Sequence, residues 1–213
     1  MNIQAAIFDL DGVLVVTQRY HLKAWRALCA DRSWEPVAGE RSDGETLETI
    51  LRKNGVAATE QEKQALLEEK QRYYEQFISA METEDFYPGA IGFVIELRAH
   101  GVLTAIGTAA KAGRKVIESL DMGELFDAVV VGEEHDFEMP SAALYERVAR
   151  ELGVEPEETV VFEDEHSAIE AARSVGAGTV GIGSPRELEL ADYVVNNYSD
   201  IELTRFLRTG QVA

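Results

Sequence analysis

Short apolar runs recur along the chain, and amphipathic segments separate most of them. The runs are mostly β-branched or small in side chain, which is typical of buried strands in a parallel sheet. They comprise Ala5–Phe8, Leu103–Gly107, Ala128–Val131, Val160–Phe162, Thr179–Ile182 and Tyr193–Val195. Apolar residues at helical spacing predict helices over Gly89–His100, Ser141–Leu152 and Ser167–Ser174, each closing near a glycine. Strands that alternate with helices predict an α/β fold, a Rossmann-like doubly wound parallel sheet.

The interval 17–85 has a different pattern. Its apolar residues follow helical spacing, as in Tyr20, Ala24 and Leu28, and it contains no convincing strand. Tyr87-Pro88-Gly89 is a turn signal at the return to the alternating pattern. We therefore expect an α/β core domain over 1–16 and 86–213, with an inserted all-helical cap domain over 17–85.

Composition narrows the classes of partner. The chain of 213 residues carries 20 Lys+Arg against 39 Asp+Glu, a formal charge of -19. Nucleic acid and anionic membrane surfaces are bound by basic patches, so we expect neither as a partner. The single Cys29 excludes an internal disulfide, and we find no signal peptide and no apolar run of membrane-spanning length. These features predict a cytoplasmic protein, which we expect to be a monomer or a weak dimer.

Two carboxylates follow the first predicted strand. Asp9 and Asp11 leave the strand end, and Gly12 follows where the backbone must turn sharply. Alternation in an extended segment places both acids on one side, and the functional site of an open α/β sheet lies at the carboxyl ends of its strands. By itself, this Asp-x-Asp motif is also compatible with a surface loop or a calcium-binding fragment.

A second acidic pair, Glu163-Asp164, follows the apolar strand Val160–Phe162. Either acid could instead cap the helix that begins near Ser167. Paired carboxylates at two strand ends of one sheet nevertheless concentrate negative charge that a cation would relieve. Oxygen ligands without a nearby His or Cys favour Mg²⁺ over zinc. A third predicted strand ends at Thr108, whose hydroxyl could bind a phosphate oxygen or serve as an ordinary turn residue.

Taken in order, these motifs resemble the haloacid dehalogenase superfamily, and most closely its β-phosphoglucomutase-like branch with a helical cap. The resemblance implies that Asp9 is the nucleophile, which forms an aspartyl-phosphate, and that Asp11 is the general acid/base. It further implies a Mg²⁺ site and a phosphate-binding group, and it gives His21 a supporting role near the hinge of the cap. The implied metal residues are Asp9, Asp11 (through its backbone carbonyl), Glu163 and Asp164, and the implied phosphate-binding residues are Thr108, Ala109 and Lys111.

The sequence departs from the family pattern at two informative positions. Met139 replaces a lysine that the family places before the proline opening a core helix, and Lys111 could partly compensate for the lost charge. Asp43 stands where the mutase carries a phosphate-binding arginine. Because a mutase must bind phosphate at both ends of a sugar bisphosphate, Asp43 weakens the mutase interpretation most.

The first hypothesis is a Mg²⁺-dependent phosphatase or phosphomutase acting on a small phosphorylated metabolite, with a sugar phosphate favoured. The alternative is a catalytically impaired homologue that binds a phosphometabolite or a protein partner, and Met139 is its main support. A dehalogenase that uses Asp9 is a weaker third hypothesis, because that branch does not need the full set of metal-binding acids.

Overall fold

The computed structural model describes residues 3–37, 42–132, 141–203 and 206. These residues divide into two compact units, one formed by Met1–Val16 with Glu82–Ala213 and the other by Thr17–Met81. Glu82–Asp85 therefore belongs with the larger unit, whereas the sequence pattern assigned it to the insert. One cause is local, because the Val16 amide donates to the Asp85 carbonyl at 2.8 Å. That the smaller unit acts as a cap remains a prediction.

Within the described residues, the larger unit contains one sheet in the strand order β3-β2-β1-β4-β5-β6, with every pair parallel. The predicted doubly wound fold is confirmed. Every strand begins and ends within one residue of its predicted bounds. The strands are β1 Ala5–Phe8, β2 Leu103–Thr108, β3 Ala128–Val131, β4 Thr159–Glu163, β5 Gly178–Ile182 and β6 Tyr193–Val195.

Helices of both units begin and end at residues that satisfy their free backbone groups. Ser141 caps the helix Ala142–Leu152 by accepting a hydrogen bond from the Ala143 amide, and Gly153 ends that helix in the left-handed conformation. Thr59 and Glu62 form a capping box at the start of the helix Glu60–Ile78. The helices are α1 Gln18–Ala30, α2 Asp43–Lys53, α3 Glu60–Ile78, α4 Ala90–Ala99, α5 Gly113–Ser119, α6 Ala142–Leu152 and α7 His166–Ser174.

Apolar side chains of the central strands β1 and β4 are buried on both faces of the sheet. Ile7 and Val161 pack with Leu144, Tyr145 and Val148 of α6. Phe8 and Phe162 enter an aromatic cluster with Phe93, Tyr198 and Phe206. Because both faces are buried, the sequence of each of these strands contains a continuous apolar run. Polar side chains follow at the carboxyl ends of the strands.

The smaller unit has a core of its own. Trp25, Leu28 and Cys29 of α1 pack with residues of α2 and α3, of which Ile50 is fully buried. The described part of this unit, 17–37 and 42–81, is helical and contains no strand. Across both units, none of the helices in the described residues combines the length and apolar character that a membrane span requires.

Candidate active site

Three carboxylates converge at the carboxyl edge of the sheet. One carboxylate oxygen from each of Asp9, Glu163 and Asp164 lies within 4.8 Å of the others. The strand register causes this convergence, because Phe8 of β1 is paired with Phe162 of β4 and the Asp9 amide donates to the Phe162 carbonyl at 3.0 Å. The residues that follow each phenylalanine are therefore brought side by side. We call Asp9, Glu163 and Asp164 the acidic group.

Burial and mutual repulsion act on these carboxylates together. Desolvation, followed by the charges of Glu163, Asp11 and Asp164, raises the pKa of Asp9 well above its ordinary value. Desolvation is also the main cause that raises the pKa of Glu163 to about 8, with Asp164 adding to it. A group of acids that resists losing its protons is a group that a divalent cation would stabilise in its ionised form.

Asp164 is an exposed residue, but its carboxyl group is directed toward Gly12. A Cβ built on Gly12 would lie 2.6 Å from the carboxyl carbon of Asp164, and Gly12 has a φ of +77°. Local loss of solvent, together with the charges of Asp11 and Glu165, raises the pKa of Asp164 to about 7. Glycine at position 12 thus serves both the sharp turn and the approach of Asp164 to the loop.

The loop after β1 is held by backbone hydrogen bonds on several sides. The amides of Leu14 and Val15 both donate to the Leu10 carbonyl at 3.0 Å, and the Tyr198 hydroxyl donates to the Val13 carbonyl at 3.1 Å. Asp11 lies in this loop, and its charge contributes to the raised pKa of both Asp9 and Asp164. The carboxylate of Asp11 is not one of the three that converge. Its role as the general acid/base remains a prediction.

The predicted phosphate-binding residues follow the neighbouring strand. Thr108 ends β2, which is paired with β1, and it is buried. Its hydroxyl oxygen accepts a hydrogen bond from the Ala110 amide at 3.2 Å. Ala109 and Lys111 are both exposed in the turn that leads to α5. The structure thus places Thr108 beside the strand that carries Asp9, while Lys111 extends from the surface.

His21 and Asp43 meet a buried lysine within the smaller unit. Lys70 is fully buried, and its Nζ lies 2.8 Å from both carboxylate oxygens of Asp43 and 2.7 Å from Nδ1 of His21. The rings of Trp25 and Tyr74 add cation–π contacts. Burial, and secondarily the Lys70 charge, lowers the pKa of His21 to about 4. His21 is therefore neutral near pH 7, with Nδ1 as the acceptor.

The sequence did not identify the buried polar residues Tyr145 and Lys70, which contact predicted site residues. Tyr145 was predicted only as an apolar position of its helix, although its hydroxyl contacts Glu163. Lys70 belongs to a charge-rich helix that offers no pattern to separate it from solvated neighbours. Met139, the position of the missing family lysine, lies outside the described residues.

Comparison with known proteins identifies the class of protein. The profile of the haloacid dehalogenase-like hydrolase family matches residues 3–176. β-Phosphoglucomutase of Bacillus subtilis (strain 168) is 31% identical over 94% of this chain and 92% of its own. A phosphorylated-carbohydrates phosphatase of Thermotoga maritima is 29% identical over 82% of both chains. A solved β-phosphoglucomutase structure from Clostridium difficile is 26% identical, with a TM-score of 0.77 over 97% of this chain and 96% of that chain.

The chain belongs to the haloacid dehalogenase-like hydrolase family and is an enzyme. The resemblance drawn from the sequence motifs is confirmed. The alternative of a catalytically impaired homologue finds no support in these matches, whose members are named as mutases and a phosphatase.

Proposed function

We propose that the protein is a Mg²⁺-dependent phosphatase of small phosphorylated carbohydrates, with Asp9 as its nucleophile. The observation that carries the proposal is the convergence of Asp9, Glu163 and Asp164 within 4.8 Å at the carboxyl edge of the sheet. An all-oxygen set of hard ligands suits Mg²⁺. The named activities of the relatives support a phosphorylated carbohydrate as the substrate class.

Ionisation of the nucleophile links the cation to the chemistry. A carboxylate attacks phosphorus only in its charged form, and burial beside three other acids raises the pKa of Asp9. Bound Mg²⁺ would offset this charge and that of the phosphoryl oxygens. The residues proposed to hold it are Asp9, Glu163, Asp164 and the backbone carbonyl of Asp11.

Two successive displacements complete the reaction. An Asp9 oxygen forms a bond to phosphorus while the bond to the sugar oxygen breaks, and Asp11 donates a proton to that leaving oxygen. Water then attacks the aspartyl-phosphate, Asp11 takes the proton, and inorganic phosphate leaves with Asp9 regenerated. The Thr108 hydroxyl, which accepts from the Ala110 amide, is proposed to donate its hydrogen to a phosphoryl oxygen, with Ala109 and Lys111 supporting the same group.

A phosphomutase is the second candidate, since the 31% identical relative is named β-phosphoglucomutase. The environment of Asp43 favours the phosphatase. The position at which the family resemblance expects a phosphate-binding arginine carries a carboxylate, and that carboxylate is bound to Lys70 through both of its oxygens. Position 43 therefore does not supply the second phosphate contact that a sugar bisphosphate would require from it.

Release of inorganic phosphate from a panel of sugar monophosphates, with and without Mg²⁺, tests the proposal. We expect Mg²⁺-dependent release that Asp9→Asn abolishes and that Asp200→Asn, at an exposed acid in the same unit, leaves unchanged. Isomerisation of a glucose monophosphate without net phosphate release would instead establish the mutase. Equal release by wild type and Asp9→Asn would contradict both candidates.

A further inference from the structure

The buried hydroxyl of Tyr145 on α6 is bonded to one member of the acidic group. Tyr145 Oη donates to Glu163 Oε1 at 2.8 Å, and both residues are buried, with 2% and 4% of their surface exposed. The other oxygen of the Glu163 carboxylate accepts from the Asp164 amide at 3.2 Å. The Glu165 amide is a further donor to this carboxylate. Both amides belong to the residues that directly follow Glu163, whereas Tyr145 is a side-chain donor from a separate helix.

Packing determines where this hydroxyl lies. The Tyr145 ring is part of the core cluster that includes Ile7, Val148 and Val161 beneath the sheet edge. A buried tyrosine hydroxyl needs a hydrogen-bond partner, because an unpaired hydroxyl in the core is unfavourable. Desolvation and the nearby carboxylates raise the pKa of the Tyr145 hydroxyl, which therefore keeps its proton and acts as a donor.

We propose that Tyr145 is a positioning residue for the cation site: its hydroxyl holds the Glu163 carboxylate in the orientation in which it converges with those of Asp9 and Asp164. The inference rests on the proposed Mg²⁺-dependent function. Glu163 is the last residue of β4 and pairs with Gly181 of β5, so the sheet anchors its backbone. Local amides and the Tyr145 hydroxyl hold its carboxylate, and the hydroxyl is the side-chain contact from α6.

Loss of the hydroxyl would act on the orientation of Glu163. The carboxylate would keep its local amide contacts but would be less restrained about its terminal torsion, which has a broad energy minimum. Removal of an outer partner that orients a metal ligand costs about 10–100-fold in metal affinity.

Tyr145→Phe tests this directly, because it removes the hydroxyl and keeps the ring in the core. Tyr87→Phe is the matched control, since the Tyr87 hydroxyl donates to the Asn196 carbonyl at 3.1 Å and contacts no member of the acidic group. Calorimetric titration with Mg²⁺ at neutral pH measures affinity without turnover. We expect about a tenfold or greater weakening for Tyr145→Phe and an unchanged affinity for Tyr87→Phe. Saturating Mg²⁺ should restore most of the kcat of Tyr145→Phe, which a merely structural defect would not permit.

The possible outcomes distinguish a failure of the positioning role from a failure of the proposed function. Wild-type affinity in Tyr145→Phe, or the same loss in both variants, overturns the positioning role even when the enzyme hydrolyses sugar phosphates. A specific loss of Mg²⁺ affinity in Tyr145→Phe supports the role, whether or not any phosphatase substrate is found. If the wild-type protein does not bind Mg²⁺ at all, both proposals are wrong. Circular dichroism of the three proteins identifies a variant that has failed to fold, and Tyr145→Met, which lacks a hydroxyl and fits within the volume of the tyrosine, then repeats the comparison.

Discussion

The rings of Phe8 and Phe162 are stacked with their centroids 4.6 Å apart and their planes 11° from parallel. Each phenylalanine directly precedes a member of the acidic group, and the two are register partners on β1 and β4. The stack therefore lies where it can hold the two strand ends together against the repulsion of the carboxylates that follow. The packing of Phe8 against Phe162 in the core therefore contributes to the geometry of the acidic group.

Replacement of Phe162 with alanine should destabilise the larger unit by about 3–5 kcal/mol, the usual cost of removing a buried phenylalanine. Phe162 is fully buried and contacts the rings of Phe8, Phe93 and Phe206. Urea denaturation followed by circular dichroism measures the change. Ile95→Ala is the control, because Ile95 is 53% exposed and its truncation should cost less than about 1 kcal/mol. Equal losses of unfolding free energy in the two variants would show that the aromatic cluster stabilises the unit no more than the exposed side chain of Ile95 does.

Gly12→Ala should weaken Mg²⁺ binding, because its Cβ would displace the Asp164 carboxylate. The control is Gly101→Ala, whose φ of +81° imposes a similar backbone cost but whose Cβ would meet nothing within 4 Å. Both variants should lose about 1–2 kcal/mol of stability from the left-handed conformation. Only Gly12→Ala should lose Mg²⁺ affinity in calorimetry. A normal affinity in Gly12→Ala would show that Asp164 moves aside without consequence.

Without a divalent cation, the stability of the protein should fall as the pH rises from about 4 to about 8. The pKa of Glu163 is raised from 4.5 to about 8 and that of Asp164 from 3.8 to about 7, so the folded state binds these protons more tightly than the unfolded state does. The resulting stability is present below the unfolded pKa values and is lost as the pH passes through the folded ones. Thermal unfolding in the presence of a chelator measures this profile.

Addition of Mg²⁺ should raise the melting temperature more at pH 8 than at pH 5, since the cation and the protons compete for the same oxygens. The double variant Glu163→Gln/Asp164→Asn provides the control, because it removes two of the titrating groups and should make the profile less steep, while Asp9 remains. An Mg²⁺ effect of the same size at both pH values would argue against binding at the acidic group.

Met139→Lys should raise phosphatase turnover by about tenfold or more. Met139 lies outside the described residues, so the reason is the family correspondence together with the charge of the acidic group, which a nearby cation would offset. Steady-state kinetics of wild type, Met139→Lys and Lys111→Ala make the comparison. An unchanged rate in Met139→Lys with a lost rate in Lys111→Ala would show that Lys111 supplies the charge instead.

The carboxyl-edge acids could be predicted from the sequence because the signal is local. Asp9 and Glu163 each follow an apolar strand directly, and the parallel arrangement brings such strand ends together. The Tyr145–Glu163 bond could not be predicted, because it depends on how α6 is packed against β1 and β4. The burial of Lys70 could not be predicted either, because its partners Asp43 and His21 come from two other helices. Local patterns identify strand ends, whereas pairings between distant side chains depend on packing.

The strand order also determines when the enzyme can acquire its site during synthesis. β1 is made first, yet its neighbours in the sheet are β2 and β4, which follow much later in the chain. The helical unit Thr17–Met81 is contiguous and has its own core, so it can fold as soon as it leaves the ribosome. β1 has no partner until β2 has been translated, and one of its edges stays unpaired until β4 follows. The acidic group is therefore assembled only after β4 has joined the central sheet, late in synthesis.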